Sequence, residues 1–183
     1  MKNKFITIII LNILLNAKFT LEDMYIQLDV NQTILKQNIV PEQNELVSIG
    51  TNSLGKEIFL SKKCASAWTK MQTDAKKDSI QMTIVSGFRS YAKQYAIINY
   101  KLQQGLKLDV ILKENKLPGL SQHHSGNAID IVSNSYKLSV DFEQSLAYSW
   151  LLNNAHKYGF YLTYPKDNKE GIMFEPWHWY FKE

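Results

Sequence analysis

Residues 121–130 read SQHHSGNAID, and this stretch carries reactive side chains where we expect a loop to enter a strand. Gly126, with serine and asparagine around it, disfavours a helix across the segment. The apolar and β-branched residues that follow predict a strand, on which Ala128 and Asp130 share one face. The small Ala128 leaves room beside Asp130, so we interpret His123 and Asp130 as candidate metal ligands.

The second motif, EPWHW at residues 175–179, offers a third candidate ligand in His178. Two histidines and one aspartate form a three-ligand set, which leaves a fourth zinc position open for water, as in catalytic sites. Glu175 lies three residues before His178, and the proline between them predicts a bend that turns both side chains toward one metal. A carboxylate there can take a proton from water and return it to a leaving amine. Spacing alone leaves another interpretation open, in which a loop histidine is simply a polar surface residue.

The third motif, SGFRS at residues 86–90, contributes Arg89. Arginine keeps its charge and presents fixed donors to a carboxylate or a developing oxyanion. Without the other motifs, a surface salt bridge would be the ordinary interpretation of this residue. Of the remaining histidines, His124 is expected to point away from the metal, and His156, late in a predicted helix, is expected to be structural.

Around these motifs, the pattern of apolar residues and breakers predicts helices and strands that do not alternate strictly. We expect helices at 61–78, 90–104 and 141–158, begun by Ser61, Ser90 and Asp141. We expect strands at 80–86, 127–132, 160–164 and 172–181. Such an order predicts an α+β fold with a small antiparallel sheet.

The composition favours one compact globular domain with short extensions: 183 residues, 45% hydrophobic, with a net charge of +4. The sequence has no run of lysine and arginine, so nucleic acid is not an expected partner. The single cysteine, Cys64, excludes an intramolecular disulfide. Its helical spacing to Trp68 and Met71 predicts a buried thiol.

The first residues are typical of a targeting sequence. Lys2 and Lys4 precede an apolar run at 5–15, which is shorter than the roughly 20 residues that span a bilayer and fits a secretory signal. We therefore expect residues 1–17 to be a signal peptide, or a membrane anchor if they are not cleaved. Residues 18–45 are expected to form a linker or N-terminal arm.

Taken together, the three motifs resemble the zinc D-alanyl-D-alanine carboxypeptidases of the VanY type. The family pattern S-x-H-x-x-G-x-A-x-D is matched at 121–130, E-x-W-H at 175–178, and S-G-[YF]-R-S with a later glutamine at 86–90 and Gln94. The likeness spans roughly residues 46–183. The chain departs from the family pattern at Thr163 and Tyr180, where arginine often stands, and these departures concern substrate details more than the metal.

This resemblance implies the Hedgehog/DD-peptidase fold, a small antiparallel sheet with helices packed on one side. It implies one Zn²⁺ per chain, bound by His123, Asp130 and His178. It further implies Glu175 as the general base and Arg89 as a catalytic cation that also faces the substrate. Candidate substrate-binding residues are then Arg89, Gln94, Ser121 and Trp177.

The expected function of residues 46–183, as a zinc peptidase domain, is removal of the terminal D-alanine from peptidoglycan stem peptides. Alternatives are an L,D-carboxypeptidase that trims tetrapeptide stems, an L-alanyl-D-glutamate endopeptidase, and a zinc-bearing binding module without catalysis. Glu175 favours an enzyme, because a binding module has no need of a base beside the metal. We expect a monomer that acts on stem peptides in the periplasm or at the outer face of the cytoplasmic membrane, with or without a retained N-terminal membrane anchor.

Overall fold

The computed structural model describes residues 19–33, 38–133 and 137–183, so the predicted targeting segment lies outside the described residues. The chain divides into two compact units, residues 1–37 and 38–183. In the first unit, helix α1 (Leu21–Gln27) begins with a capping box, in which Thr20 and Asp23 each accept a hydrogen bond from the other's backbone N–H. None of the helices within the described ranges has the length and apolar character that a bilayer crossing requires.

The second unit contains two antiparallel sheets, and the predicted α+β class is confirmed. A hairpin of β1 (Leu46–Thr51) and β2 (Glu57–Ser61) forms one sheet. In the other, the strands follow the spatial order β3 (Thr83–Ser86), β4 (Ala128–Val132), β6 (His178–Phe181) and β5 (Phe160–Leu162). Short 3-10 helices lie at Gln122–Ser125, Val140–Gln144 and Ala155–Tyr158. In chain order the strands and helices are β1 (Leu46–Thr51), β2 (Glu57–Ser61), α2 (Lys62–Lys77), β3 (Thr83–Ser86), α3 (Tyr91–Gln103), α4 (Leu108–Ile111), β4 (Ala128–Val132), α5 (Leu146–Asn154), β5 (Phe160–Leu162) and β6 (His178–Phe181).

Serine caps begin the first two helices of this unit, as the sequence predicts. The Ser61 hydroxyl accepts a hydrogen bond from the backbone N–H of Cys64, and Ser90 accepts one from Lys93. The inner face of α2 buries Cys64 completely, which confirms the predicted buried thiol. Burial raises the pKa of that thiol to about 12, so it is not a reactive nucleophile.

The core lies between the four-stranded sheet and helices α2 and α5. Ile129 and Ile131 of the central strand β4 are fully buried there, together with Met71 of α2 and Leu151 of α5. Burial of these side chains fixes the register of β4, because a shift of one residue would move Ile129 and Ile131 out of the core. The same alternation turns Asp130 to the opposite face, away from this apolar packing.

Some of the predicted boundaries are wrong. The helix expected at 141–158 is interrupted at Ser145, where the backbone is extended (φ −79°, ψ 150°). The Ser145 hydroxyl accepts a hydrogen bond from the N–H of Tyr148, and α5 begins after this cap. The last strand covers 178–181 and not 172–181, because Pro176 and the following residue form a turn. The strands expected at 80–86 and 160–164 are shorter at one end, and the β1–β2 hairpin was not predicted.

Candidate active site

Three segments of the chain bring His123, Asp130 and His178 together. His123 lies on the 3-10 helix at Gln122–Ser125, Asp130 in the middle of β4, and His178 at the start of β6. Asp130 and His178 are direct partners in the antiparallel ladder, so their side chains leave the same face of the sheet. One ligand atom from each of the three residues lies within 4.8 Å of the others, and all three residues are buried.

Each histidine ring lies between two oxygen acceptors. For His123, Nδ1 is 2.7 Å from the carbonyl oxygen of Gly87, and Nε2 is 3.3 Å from Asp130. For His178, Nε2 is 3.0 Å from Oε1 of Gln122, and Nδ1 is 3.1 Å from the other oxygen of Asp130. A neutral imidazole has only one N–H, so one nitrogen lone pair on each ring must face an oxygen. A cation among the three side chains removes both conflicts, and nitrogen and oxygen donors in this number suit Zn²⁺.

The electrostatics of the three residues favour a cation as well. Burial lowers the pKa of His123 to about 4, although the carboxylate of Asp130 opposes this, so the ring is neutral at pH 7. Burial opposes a charge on Asp130, but attraction and hydrogen bonds from His123 and His178 outweigh it and hold the pKa of Asp130 below its ordinary value. An anionic carboxylate beside a neutral imidazole is the protonation state in which these groups bind metals.

Gly87 allows its own carbonyl group to lie against His123. A Cβ at this position would lie only 2.6 Å from the backbone oxygen of Phe59, closer than two such atoms approach. The glycine of SGFRS is therefore required by the contact between β2 and the segment after β3. This contact places an acceptor behind one ligand, which fixes the orientation of that imidazole.

The turn at Pro176 brings Glu175 beside the three residues, as the sequence predicts. The backbone N–H of His178 donates to the carbonyl of Glu175, and the nearest Glu175 carboxylate oxygen is 3.8 Å from Nδ1 of His178. Glu175 is 7% exposed. Burial, with the negative charge of Asp130 adding to it, raises the pKa of Glu175 to about 8. A carboxyl group with such a pKa can both accept and return a proton near neutral pH.

Arg89 is fixed by three side chains. Its guanidinium donates to Oε1 of Gln94 at 2.8 Å and to the hydroxyl of Ser86 at 3.1 Å, and it lies 3.6 Å from Asp130. Gln94 is fully buried, and its amide nitrogen donates to the carbonyl of Lys116 at 2.6 Å. Gln94 therefore orients Arg89, whereas the sequence suggested only a contact with substrate.

One cavity of about 470 Å³ contains the whole predicted set. Lys101 and Lys116 also line it, and they form ion pairs with Glu114 at 2.9 Å and with Glu170 at 3.0 Å, respectively. The predicted residues that line the cavity are Arg89, Gln94, Ser121, His123, Asp130, Glu175, Trp177 and His178.

Three neighbours of His178 were not predicted. Gln122 contacts its ring nitrogen, Thr163 contacts Gln122, and the Tyr164 ring lies against the imidazole with ring centroids 4.9 Å apart. Gln122 stands next to a predicted ligand, and Tyr164 next to Thr163, one of the two departures from the family pattern, so position alone offered a weak signal. By contrast, His124 points away from the metal ligands as expected, with its ring nitrogens bonded to the Arg89 carbonyl and the Gly119 N–H.

The sequence is similar to that of a known protein family and of several known proteins. The family model described as VanY, D-alanyl-D-alanine carboxypeptidase, matches residues 57–183. A D-alanyl-D-alanine carboxypeptidase of Enterococcus faecium is 34% identical over 155 residues, which cover 81% of this chain and 46% of the relative. The chain spans about half the length of such curated relatives.

Solved structures share the fold. The LdcB LD-carboxypeptidase superposes with a TM-score of 0.69 at 31% identity, covering 76% of this chain and 69% of that chain. VanYB in complex with D-alanine-D-alanine superposes with a TM-score of 0.63 at 26% identity, covering 80% and 82%. The family model matches residues 57–183, which is more than half of the chain, and the solved structures share its fold, so the chain belongs to the VanY family of D-alanyl-D-alanine carboxypeptidases.

Proposed function

We propose that this protein is a zinc-dependent carboxypeptidase that removes the terminal D-alanine from peptidoglycan stem peptides. The observation that carries the proposal is the buried carboxylate of Glu175, 3.8 Å from a ring nitrogen of His178 and on the edge of a three-ligand metal site. A metal site that is purely structural is closed by four protein ligands and has no use for such a group.

Zinc, when bound by His123, Asp130 and His178, supplies Lewis-acid activation of water and of the scissile carbonyl. Glu175 takes a proton from the water as its oxygen bonds to the carbonyl carbon. When the C–N bond breaks, Glu175 gives that proton to the leaving amine of D-alanine. The guanidinium of Arg89 lies 3.6 Å from the candidate ligand Asp130, and therefore beside the metal site. From there it can stabilise the negative charge that develops on the carbonyl oxygen of the substrate.

An exopeptidase must also bind the free carboxylate at the end of its substrate. Arg89 is held in one orientation by Gln94 and Ser86, so its donors are already placed when the peptide arrives. Ser121 and Trp177 line the same cavity, and we propose them as further contacts to the peptide. Lys101 and Lys116 line the cavity as well, each paired with a glutamate, and we propose that they face the carboxylates that a stem peptide carries along its length.

A second candidate is an L,D-carboxypeptidase, which trims tetrapeptide stems to tripeptides. The match to the LdcB LD-carboxypeptidase at 31% identity favours it, whereas the E. faecium relative at 34% identity is a D-alanyl-D-alanine carboxypeptidase. The two activities differ in the residue before the cut, which is the small D-alanine in one case and a long L-diamino acid in the other. Such discrimination depends on pocket walls, where one methylene group changes binding by about 1–3 kcal/mol.

The test offers purified protein pentapeptide and tetrapeptide muropeptides side by side, with the products weighed by mass spectrometry. We expect the pentapeptide to lose one alanine while the tetrapeptide stays intact. Tripeptide formed from tetrapeptide, with the pentapeptide unchanged, would establish the L,D activity instead. No product from either substrate by a zinc-loaded protein would favour a binding module.

We propose that the protein acts outside the cytoplasm, in the periplasm or at the outer face of the membrane, because stem peptides of the mature wall lie there. The signal-like composition of residues 1–17 supports this location. We further propose that it acts as a monomer and does not bind nucleic acid. Cell fractionation should recover the protein outside the cytosol, and recovery only in the cytosol with Met1 intact would refute the location.

A further inference from the structure

Gln122 and Thr163 form a short chain of hydrogen bonds behind His178. The Thr163 hydroxyl donates to Oε1 of Gln122 at 3.0 Å, and the same oxygen lies 3.0 Å from Nε2 of His178. Thr163 directly follows β5, and its backbone N–H is directed at the carbonyl of His178 at 3.5 Å. These hydrogen bonds therefore connect the residue after β5 to the first residue of β6.

The position of the ring proton on His178 decides which nitrogen can bind a metal. Nδ1 faces Asp130 and the other ligand atoms, so Nδ1 must have a free lone pair and Nε2 must carry the hydrogen. In the metal-free site, however, Asp130 also attracts a proton to Nδ1. The side-chain amide oxygen of Gln122 opposes this, because it is an acceptor for the Nε2–H group.

The amide of Gln122 favours the metal-binding form of the ring only if its oxygen, and not its nitrogen, faces His178. The Thr163 hydroxyl donates to that oxygen and so stabilises this orientation of the amide. In metal sites, an acceptor behind a histidine ligand raises the basicity of the ring and fixes its orientation. The two side chains are separated by 41 positions in the sequence and meet only in the folded domain.

We propose that Gln122 and Thr163 are positioning residues for the metal site, which keep the proton of His178 on Nε2 and its Nδ1 lone pair available to zinc. This inference rests on the metal site of the proposed function, but it does not depend on which peptide bond the enzyme cuts. Its test therefore needs no substrate. Gln122 acts on the ring directly, and Thr163 acts through Gln122.

The test measures zinc affinity on the full chain, stripped with a chelator and titrated with Zn²⁺ against a chromophoric competitor. Gln122→Met keeps the approximate side-chain volume but lacks the acceptor, and we expect its affinity to fall by about 10–100-fold. Gln122→Glu offers a stronger acceptor and should bind zinc at least as tightly as the wild type. Thr163→Val should lower the affinity by a smaller factor. Gln103→Met, an exposed glutamine at the end of α3, is the matched control and should change nothing.

The second measurement is nitrogen NMR of the histidine rings in the zinc-loaded protein, which reports the exchange of the Nε2–H proton of His178. If Gln122 and Thr163 only stabilised the fold, their substitution would not change this exchange. We expect a slowly exchanging Nε2–H signal of His178 in the wild type and in Gln122→Glu, and fast exchange in Gln122→Met. Equal zinc affinities and equal proton exchange in the wild type and Gln122→Met would overturn the inference. If Gln122→Met fails to fold, a tenfold weaker affinity of Gln122→Glu would overturn it instead. Failure of the wild type to bind zinc at all would overturn the metal site, and with it the proposed function.

Discussion

Glu175 combines two properties that are rarely found in one carboxyl group: it is almost fully buried, and it has no hydrogen-bonded cation as a fixed partner among the described contacts. We expect Glu175→Gln to retain zinc, because the three ligands are unchanged. Loss of the general base should reduce turnover by about 10²–10⁴-fold. Zinc content and kcat on a pentapeptide stem measure the two effects.

Glu57→Gln is the control for this substitution, because it makes the same chemical change at an exposed position of β2 outside the cavity. It should keep both zinc and turnover. A zinc-loaded Glu175→Gln variant with turnover near that of the wild type would remove this residue from the mechanism.

The raised pKa of Glu175 also predicts how stability depends on pH in the metal-free protein. The folded state holds the proton up to about pH 8, whereas an unfolded chain releases it near the ordinary value of 4.5. The contribution of Glu175 to stability is therefore present at pH 4.5 and is lost as the pH rises to about 8. Glu175→Gln cannot ionise, so relative to the wild type it should gain stability over this range, on the order of a few kcal/mol.

Urea unfolding of both proteins at pH 5 and pH 8, with chelator present, measures this gain. A difference in unfolding free energy that is the same at the two pH values would contradict the prediction. Loading with zinc should shrink the difference at pH 8, because a nearby cation stabilises the carboxylate.

Residue type and order were enough to select the eight residues that line one cavity, but they did not predict the hydrogen-bond partners of these residues. His178 and Gln122 are 56 positions apart, and Gln122 and Thr163 are 41 apart. Neither contact follows from periodicity or from spacing within a motif. Gln94 illustrates the same limit, because the sequence named it as a candidate substrate-binding residue, while its hydrogen bond to Arg89 depends on the loop before α3.

Among the elements, the 3-10 helix that carries His123 depends on a glycine at its end. Gly126 has φ +69°, and a Cβ there would lie 2.9 Å from the backbone nitrogen of Ser61 and 3.0 Å from Leu46. Its carbonyl also accepts a hydrogen bond from Ser61 N–H at 2.9 Å. The segment that holds one ligand is thus packed directly against the β1–β2 hairpin.

We expect Gly126→Ala to lower both the stability and the zinc affinity. Strain from the left-handed backbone costs about 1–2 kcal/mol, and the clash with Ser61 adds to this and displaces His123. Gly105→Ala separates the two effects, because Gly105 also has a positive φ (+84°) but open space around it. Chemical denaturation and zinc titration should show strain alone for Gly105→Ala, and equal results for the two variants would contradict the role of close packing.

Predicted helix starts were accurate where one serine hydroxyl determines them, as at Ser61 and Ser90. Strand ends were less accurate, because the length of a strand depends on how far its neighbours remain paired. The segment before β6 has strand-like composition but binds elsewhere, with Met173 N–H donating to the carbonyl of Lys113. The β1–β2 hairpin escaped prediction for the same reason, since its pairing is evident only from the register of both strands.

Over the whole second unit, the three candidate ligands lie on a 3-10 helix and on two strands, and His178 is 48 positions away from Asp130 in the sequence. A metal that bridges the 3-10 helix, β4 and β6 stabilises the contacts among them, because an unfolded chain cannot present all three side chains together. Metal binding and the stability of the domain should therefore be coupled.

We expect zinc to raise the melting temperature of the protein and chelation to lower it. At a free zinc concentration 100 times the dissociation constant, binding to the folded state adds about 2.7 kcal/mol. For a domain of this size that is a shift of roughly 5–10 °C. His123→Ala should abolish the shift, whereas His156→Ala, at an exposed histidine outside the cavity, should retain it. Thermal unfolding followed by circular dichroism with zinc or with chelator checks all three proteins, and a zinc-dependent shift that persists in His123→Ala would place the metal elsewhere on the chain.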